Sequence, residues 1–246
     1  MNEAVAELRA EQAELEAILR SLSPEHWAAP TPAQGWDVRD QVSHLADTNE
    51  IAYDTAAGGP RQLNEEALTF PTPEAFTESG CIKGRAMDPA QVLDWWTTTA
   101  ERVNEMLLTK DPKERLPWGL GMSARMLVTA RLMEHWAHGL DIRAAVGEQP
   151  NPTPRLRSIA LLIFKAMPYA FSVVKVSPPA GTLRVELDFD GERWTLGAED
   201  ADNVISGDAL EYCMVGVQRM HHEEAKTLKA QGPLAEAALK YARAFL

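Results

Sequence analysis

The feature that most constrains the fold is a break in pattern. Helical repeats of apolar residues fill the chain up to Val146 and stop at Gly147-Glu148-Gln149-Pro150-Asn151-Pro152-Thr153-Pro154. Prolines at 150, 152 and 154 remove backbone donors and clash with a preceding turn, so no helix crosses this stretch. Before it, Val5, Leu8, Leu15, Ile18 and Leu19 recur at helical spacing between Asn2 and Arg20. Asp37 is placed to cap a second helix, running to about Ala57 and stopped by Gly58-Gly59-Pro60. A third begins at Asp88-Pro89-Ala90-Gln91, with Asp as cap, Pro in the first helical position and Gln where a capping-box partner belongs. The fourth runs from about Ser123 to Val146. Four such helices joined by loops predict an antiparallel bundle over residues 1–150.

Beyond the connector the period changes. After one helix, roughly Arg155 to Phe171, the segments Leu183-Arg184-Val185-Glu186-Leu187-Asp188-Phe189 and Glu192-Arg193-Trp194-Thr195-Leu196 alternate apolar and polar residues across Asp190-Gly191. That dipeptide between alternating runs is a strong hairpin signal. Helices are expected from about Asp208 and from Pro233. The whole chain therefore reads as α+β: a helical bundle over 1–150, then a smaller α+β domain over 151–246.

Charge narrows the partners. A net charge of −12 argues against nucleic acid and anionic membrane, both of which need clustered Lys and Arg. No run of eighteen uncharged apolar residues exists, and the acidic, amphipathic N-terminus does not resemble a signal peptide; a cytoplasmic location is the expectation. Cys81 and Cys213 lie far apart, which suggests neither a disulfide framework nor a thiolate zinc site. The expected partner is a small-molecule substrate, with pairing of two copies through an apolar helix face left open.

One segment carries chemistry. In Arg131-Leu132-Met133-Glu134-His135-Trp136-Ala137-His138-Gly139-Leu140-Asp141, a carboxylate and an imidazole stand four residues apart within a helical pattern. One turn of helix puts Glu134 and His138 on the same face, where two ligands can hold one metal ion without distorting the backbone. The best third ligand is His44, in the body of the second helix, giving a set of two histidines and one carboxylate. On spacing alone, a core histidine and a solvated glutamate remain alternatives. His135 points about 100° away from Glu134 around the helix and is read as an outer or surface residue. Asp47 and Asp141, one turn from His44 and His138, are read either as acceptors for the second ring proton of a ligating imidazole or as surface carboxylates. Arg131 is read as the ion-pair partner of Glu134.

The paired segments Gly35-Trp36-Asp37-Val38-Arg39-Asp40-Gln41-Val42-Ser43-His44-Leu45 and Glu134-His135-Trp136-Ala137-His138-Gly139-Leu140-Asp141-Ile142 resemble the signatures of DinB/YfiT-like metalloproteins. More narrowly, they resemble the branch related to mycothiol-dependent maleylpyruvate isomerase. The tail from Glu211 to His221 is similar to the sterol-carrier-like C-terminal domain that many such proteins append. The resemblance implies a DinB-like four-helix bundle whose His44, Glu134 and His138 bind a divalent metal, usually zinc. Nickel and iron are compatible with the same ligands.

Three protein ligands leave coordination positions open, as in catalytic sites. The resemblance implies that a low-molecular-weight thiol such as mycothiol occupies them during turnover. A coordinated thiol is deprotonated at neutral pH and could add to an electrophilic double bond, permit rotation or transfer, and leave. The expectation is thus a metal-dependent isomerase or thiol transferase acting on a small electrophile. Such electrophiles are often carboxylates, and Arg219 and His221 are the candidates to anchor one if the second domain closes over the metal. Two other readings stay open. One is a hydrolase, hydratase or lyase that uses the metal without a thiol. The other is a binding module with a structural metal, its apolar ligand lined by residues such as Ile159, Leu162, Ile163, Phe164 and Phe171.

Overall fold

The computed structural model describes residues 1–244. Its first compact unit, Met1–Pro150, is built on four long helices: α1 (Asn2–Ser21), α3 (Val38–Ala57), α6 (Pro89–Leu108) and α7 (Ala124–Ala145). Shorter helices α2 (Pro24–Trp27), α4 (Leu63–Ala67) and α5 (Pro73–Arg85) stand between α1 and α6, and a two-residue pair, β1 (Arg115–Leu116) with β2 (Met122–Ser123), precedes α7. In the bundle α1 packs on α6 and α7, and α3 packs on the same two helices.

The helix ends follow local chemistry. Asp37 accepts from the Asp40 backbone N–H at 2.8 Å while Asp40 accepts from that of Asp37, a reciprocal box with aspartate in the third position. Asp88 and Gln91 form the corresponding box before α6, with Pro89 in the first turn. Gly58 ends α3 in the left-handed conformation that glycine adopts without a Cβ penalty. Inside, Leu15, Leu19, Val42, Leu45, Trp96 and Ile142 belong to one buried cluster contributed by all four long helices.

Helix α5 has no counterpart in the expected four-helix plan. Thr72 caps it and Pro73 starts it, but its inner face carries Gly80 and Gly84, which lower helical propensity and blank the apolar stripe. Their role is close approach to α3. A Cβ on Gly84 would fall 1.8 Å from Ser43 Oγ, and one on Gly80 would fall 2.8 Å from Asp47 Cβ.

The second unit, from Asn151 onward, holds α8 (Leu156–Val173), β3 (Leu183–Phe189), β4 (Glu192–Gly197), β5 (Asn203–Asp208), α9 (Ala209–Gly216), β6 (Lys229–Gln231) and α10 (Pro233–Tyr241). The sheet runs β4-β3-β5-β6, with β3 and β5 parallel and the outer pairings antiparallel. Asp190 and Gly191 both take positive φ and turn β3 into β4, as the dipeptide predicts. Strand β5 escapes the alternation rule because Ser206, Gly207 and Asp208 interrupt the apolar series, and β6 is only three residues long, Lys229-Ala230-Gln231. Val185, Leu187, Trp194 and Ile205 are buried from the sheet, and Leu156, Ile159, Leu162, Ile163 and Phe171 from α8. Helix α8 is long and apolar enough by composition to cross a membrane, but it packs on α9, α10 and β4.

Candidate metal centre

Helices α3 and α7 bring His44, Glu134 and His138 together. One donor atom from each lies within 4.8 Å of the others, and this is the one such group of three potential ligands among the described residues. Glu134 Oε2 is 3.4 Å from His138 Nε2 and 3.8 Å from His44 Nε2. The Glu134–His138 pair follows from the helical turn; the His44 contact spans 90 residues of sequence (134 − 44). Glu134 keeps 20% of its side chain exposed, so the cluster has an open side. Burial pushes the Glu134 carboxyl up, but hydrogen bonds to His138 and His44 and the nearby charge of Arg131 outweigh it and hold the acid well below the usual carboxylate range. The group is an ionised carboxylate facing two imidazole nitrogens, a donor set that fits zinc and related divalent ions.

The surroundings orient these donors. Gln41, three residues before His44, accepts from His138 Nδ1 through Oε1. Its Nε2 donates to Thr31 Oγ1 at 2.9 Å and to Asp141 Oδ2 at 3.3 Å, which fixes the amide's direction. His138 therefore carries a proton on Nδ1 and presents Nε2 to Glu134. The Trp36 ring stacks on His138, with centroids 6.2 Å apart, and leans on His44 at 5.2 Å. Trp36 is held in turn by its indole N–H, which donates to Glu78 at 3.0 Å.

Three expectations about neighbouring residues need correction. His135 is not at the surface: it is 0% exposed, its Nδ1 donates to the Arg131 carbonyl at 2.7 Å, and its Nε2 accepts from Trp96 at 3.2 Å. Burial, reinforced by Arg131, lowers its pKa to about 3, so it is a neutral core residue. The 100° turn away from the ligand face directs it between the helices rather than into solvent. Arg131 is not ion-paired with Glu134; its guanidinium crosses to α3 and donates to Thr48 and Asn49. Asp47 pairs with Arg61 through two hydrogen bonds, at 2.9 and 3.2 Å. Asp141 is buried and joins the site through Gln41.

Arg219 and His221 lie in the second unit, just after α9. The Arg219 backbone N–H donates to Met214 at 2.8 Å and its Nη1 to the Val217 carbonyl at 2.9 Å. His221 is largely exposed, lies tilted against the His222 ring with centroids 4.5 Å apart, and stands 3.6 Å from Glu223. Gln41 and Trp36 were not singled out as site residues by sequence reasoning. The available signal was position: Gln41 sits one turn before His44 on the same helix face, and Trp36 immediately before the Asp37 cap.

The family model described as the mycothiol maleylpyruvate isomerase N-terminal domain matches residues 8–143, from within α1 almost to the end of α7. The chain belongs to this family. Two relatives, Uncharacterized protein Rv0036c and Uncharacterized protein MT0041 of Mycobacterium tuberculosis, are each 39% identical to it over 219 residues, covering 87% of this chain and 84% of theirs. The fold extends past the family domain. Crystal structures of the mycothiol-dependent maleylpyruvate isomerase, including a histidine-to-alanine variant, match with TM-scores of 0.62 and 0.61 over 95% of both chains, at 15% identity. The two-part architecture, helical bundle followed by an α+β domain, is thus the mycothiol-dependent maleylpyruvate isomerase fold.

Proposed function

We propose that this chain is a metal-dependent enzyme of the thiol-dependent isomerase or thiol-transferase type, acting on a small electrophilic substrate. The observation that carries the reading is the convergence of His44, Glu134 and His138 on one point with an open side. Family membership and the fold of the mycothiol-dependent maleylpyruvate isomerase support it. The ligand set favours zinc, with nickel and iron compatible.

A divalent ion held there would supply acidity, delivering a low-molecular-weight thiol such as mycothiol as thiolate at neutral pH. The protein's own groups do the rest. Glu134 stays ionised, Gln41 holds the His138 proton on the far nitrogen, and Trp36 covers the flank of both imidazoles and keeps water from it. Arg219 and His221 are proposed as the groups that bind a substrate carboxylate, Arg219 by its planar fork.

Elemental analysis of purified wild type beside His44→Ala and His138→Ala tests the centre. Near-stoichiometric metal in the wild type, lost in both variants, is the expected result; full metal retention in His44→Ala would overturn it. Turnover assayed with a panel of low-molecular-weight thiols then tests the chemistry. Activity that needs no thiol would replace this reading with a hydrolase, hydratase or lyase using the same ion.

A further inference from the structure

Arg131 lies one turn before Glu134 on α7 and is 1% exposed. Its Nη2 donates to Asn49 Oδ1 at 2.9 Å, Thr48 Oγ1 at 3.0 Å and the Leu45 carbonyl at 3.5 Å, and its Nε has no hydrogen-bond partner among the described residues. All three acceptors are neutral. A buried guanidinium is ordinarily set against a carboxylate, because an unpaired charge in a low-dielectric interior is costly.

Here the place of that carboxylate is taken by its neutral isostere. Asn49 turns Oδ1 to Arg131, while its Nδ2 is buried without a partner among the described residues. An aspartate at position 49 would keep the hydrogen bond, sacrifice no bond made by Nδ2, and neutralise the guanidinium. With asparagine there, the charge is left to act on the next acid along the helix, Glu134. No carboxylate bonds to the Arg131 guanidinium among the described residues; Asp141, the other buried acid beside the site, accepts from Gln41.

We propose that Arg131 is a positioning residue of the metal centre, whose uncompensated charge makes the open coordination positions select an anionic ligand over a neutral one. This rests on the metal reading of His44, Glu134 and His138 and narrows the ligand class to a thiolate or carboxylate. A divalent ion with one carboxylate ligand carries one net positive charge, and Arg131 adds a second within about a helical turn. At an effective dielectric of about 20, a unit charge about 12 Å from the ligand is worth roughly a factor of ten in anion affinity.

The test loads the full-length protein with cobalt(II) and titrates thiocyanate, an anion, and imidazole, a neutral ligand, against the visible absorption. Asn49→Asp is expected to take up cobalt as the wild type does, to bind thiocyanate about tenfold more weakly, and to change imidazole affinity by less than about twofold. Thr48→Val removes one hydrogen bond to the same guanidinium but not its charge, and should leave the ratio of the two affinities as in the wild type. An unchanged ratio in Asn49→Asp, or an equal shift in Thr48→Val, overturns the proposal. If Asn49→Asp fails to fold, Arg131→Met gives the same comparison with the same expected loss. A wild-type protein that takes up no cobalt would remove the metal reading itself, and this inference with it.

Discussion

Gln41 on α3 accepts the Nδ1 proton of His138 on α7, and is itself held by Thr31 and Asp141. One helix thus sets the tautomer of a donor carried by another. Gln41→Leu removes that acceptor at similar volume, and we expect metal affinity to fall by about 10- to 100-fold while the bundle stays folded. Competition with a chromophoric chelator measures the loss. Unchanged affinity would mean that the Gln41 contact does not orient His138.

Metal should stabilise the bundle, because the three donors converge only in the folded state. At a concentration of about 100 times Kd, linkage gives about 2.7 kcal/mol, which for a unit of this size corresponds to a Tm higher by roughly 5–10 °C. Thermal unfolding with and without chelator reads this directly. Glu134→Gln should unfold at the same temperature under both conditions.

The neutral core histidine makes stability depend on pH. His135 has a folded pKa of about 3 against an ordinary value of 6.5, so between these limits the unfolded chain binds the extra proton. Its contribution is fully present above about pH 6.5 and is lost as pH falls, by about 1.4 kcal/mol per pH unit, until pH approaches 3. Denaturant unfolding across pH 4–6.5 should therefore be less steep in pH for His135→Gln than for the wild type. Parallel slopes would show that this imidazole does not stay neutral in the core.

The α3–α5 contact offers a sterically defined test. Alanine at 84 would improve helix propensity by roughly 1 kcal/mol, yet its Cβ meets Ser43 Oγ at 1.8 Å and Ser43 Cβ at 2.5 Å. We expect Gly84→Ala to destabilise by about 1–3 kcal/mol. Ser43→Ala in that background should recover little, since the Cβ contact remains, whereas Ser43→Gly should recover most. Equilibrium unfolding of the four proteins decides it.

Much of this molecule was determined locally. Asp37 and Asp88 cap their helices, Asp190-Gly191 turns the hairpin, and Glu134 and His138 share a face, because each depends on bonds and dihedrals spanning only a few residues. What the tertiary structure alone decided is the meeting of elements. His44 Nε2 reaches the same Glu134 oxygen, Gln41 contacts His138, His135 turns inward to Trp96, and Arg131 crosses to Asn49. The rotation and separation of helices set these contacts, and packing sets those in turn, as Gly80 and Gly84 do where α5 closes on α3. Spacing along one helix fixes the direction in which a side chain leaves the axis; what it meets there depends on how every other helix is packed.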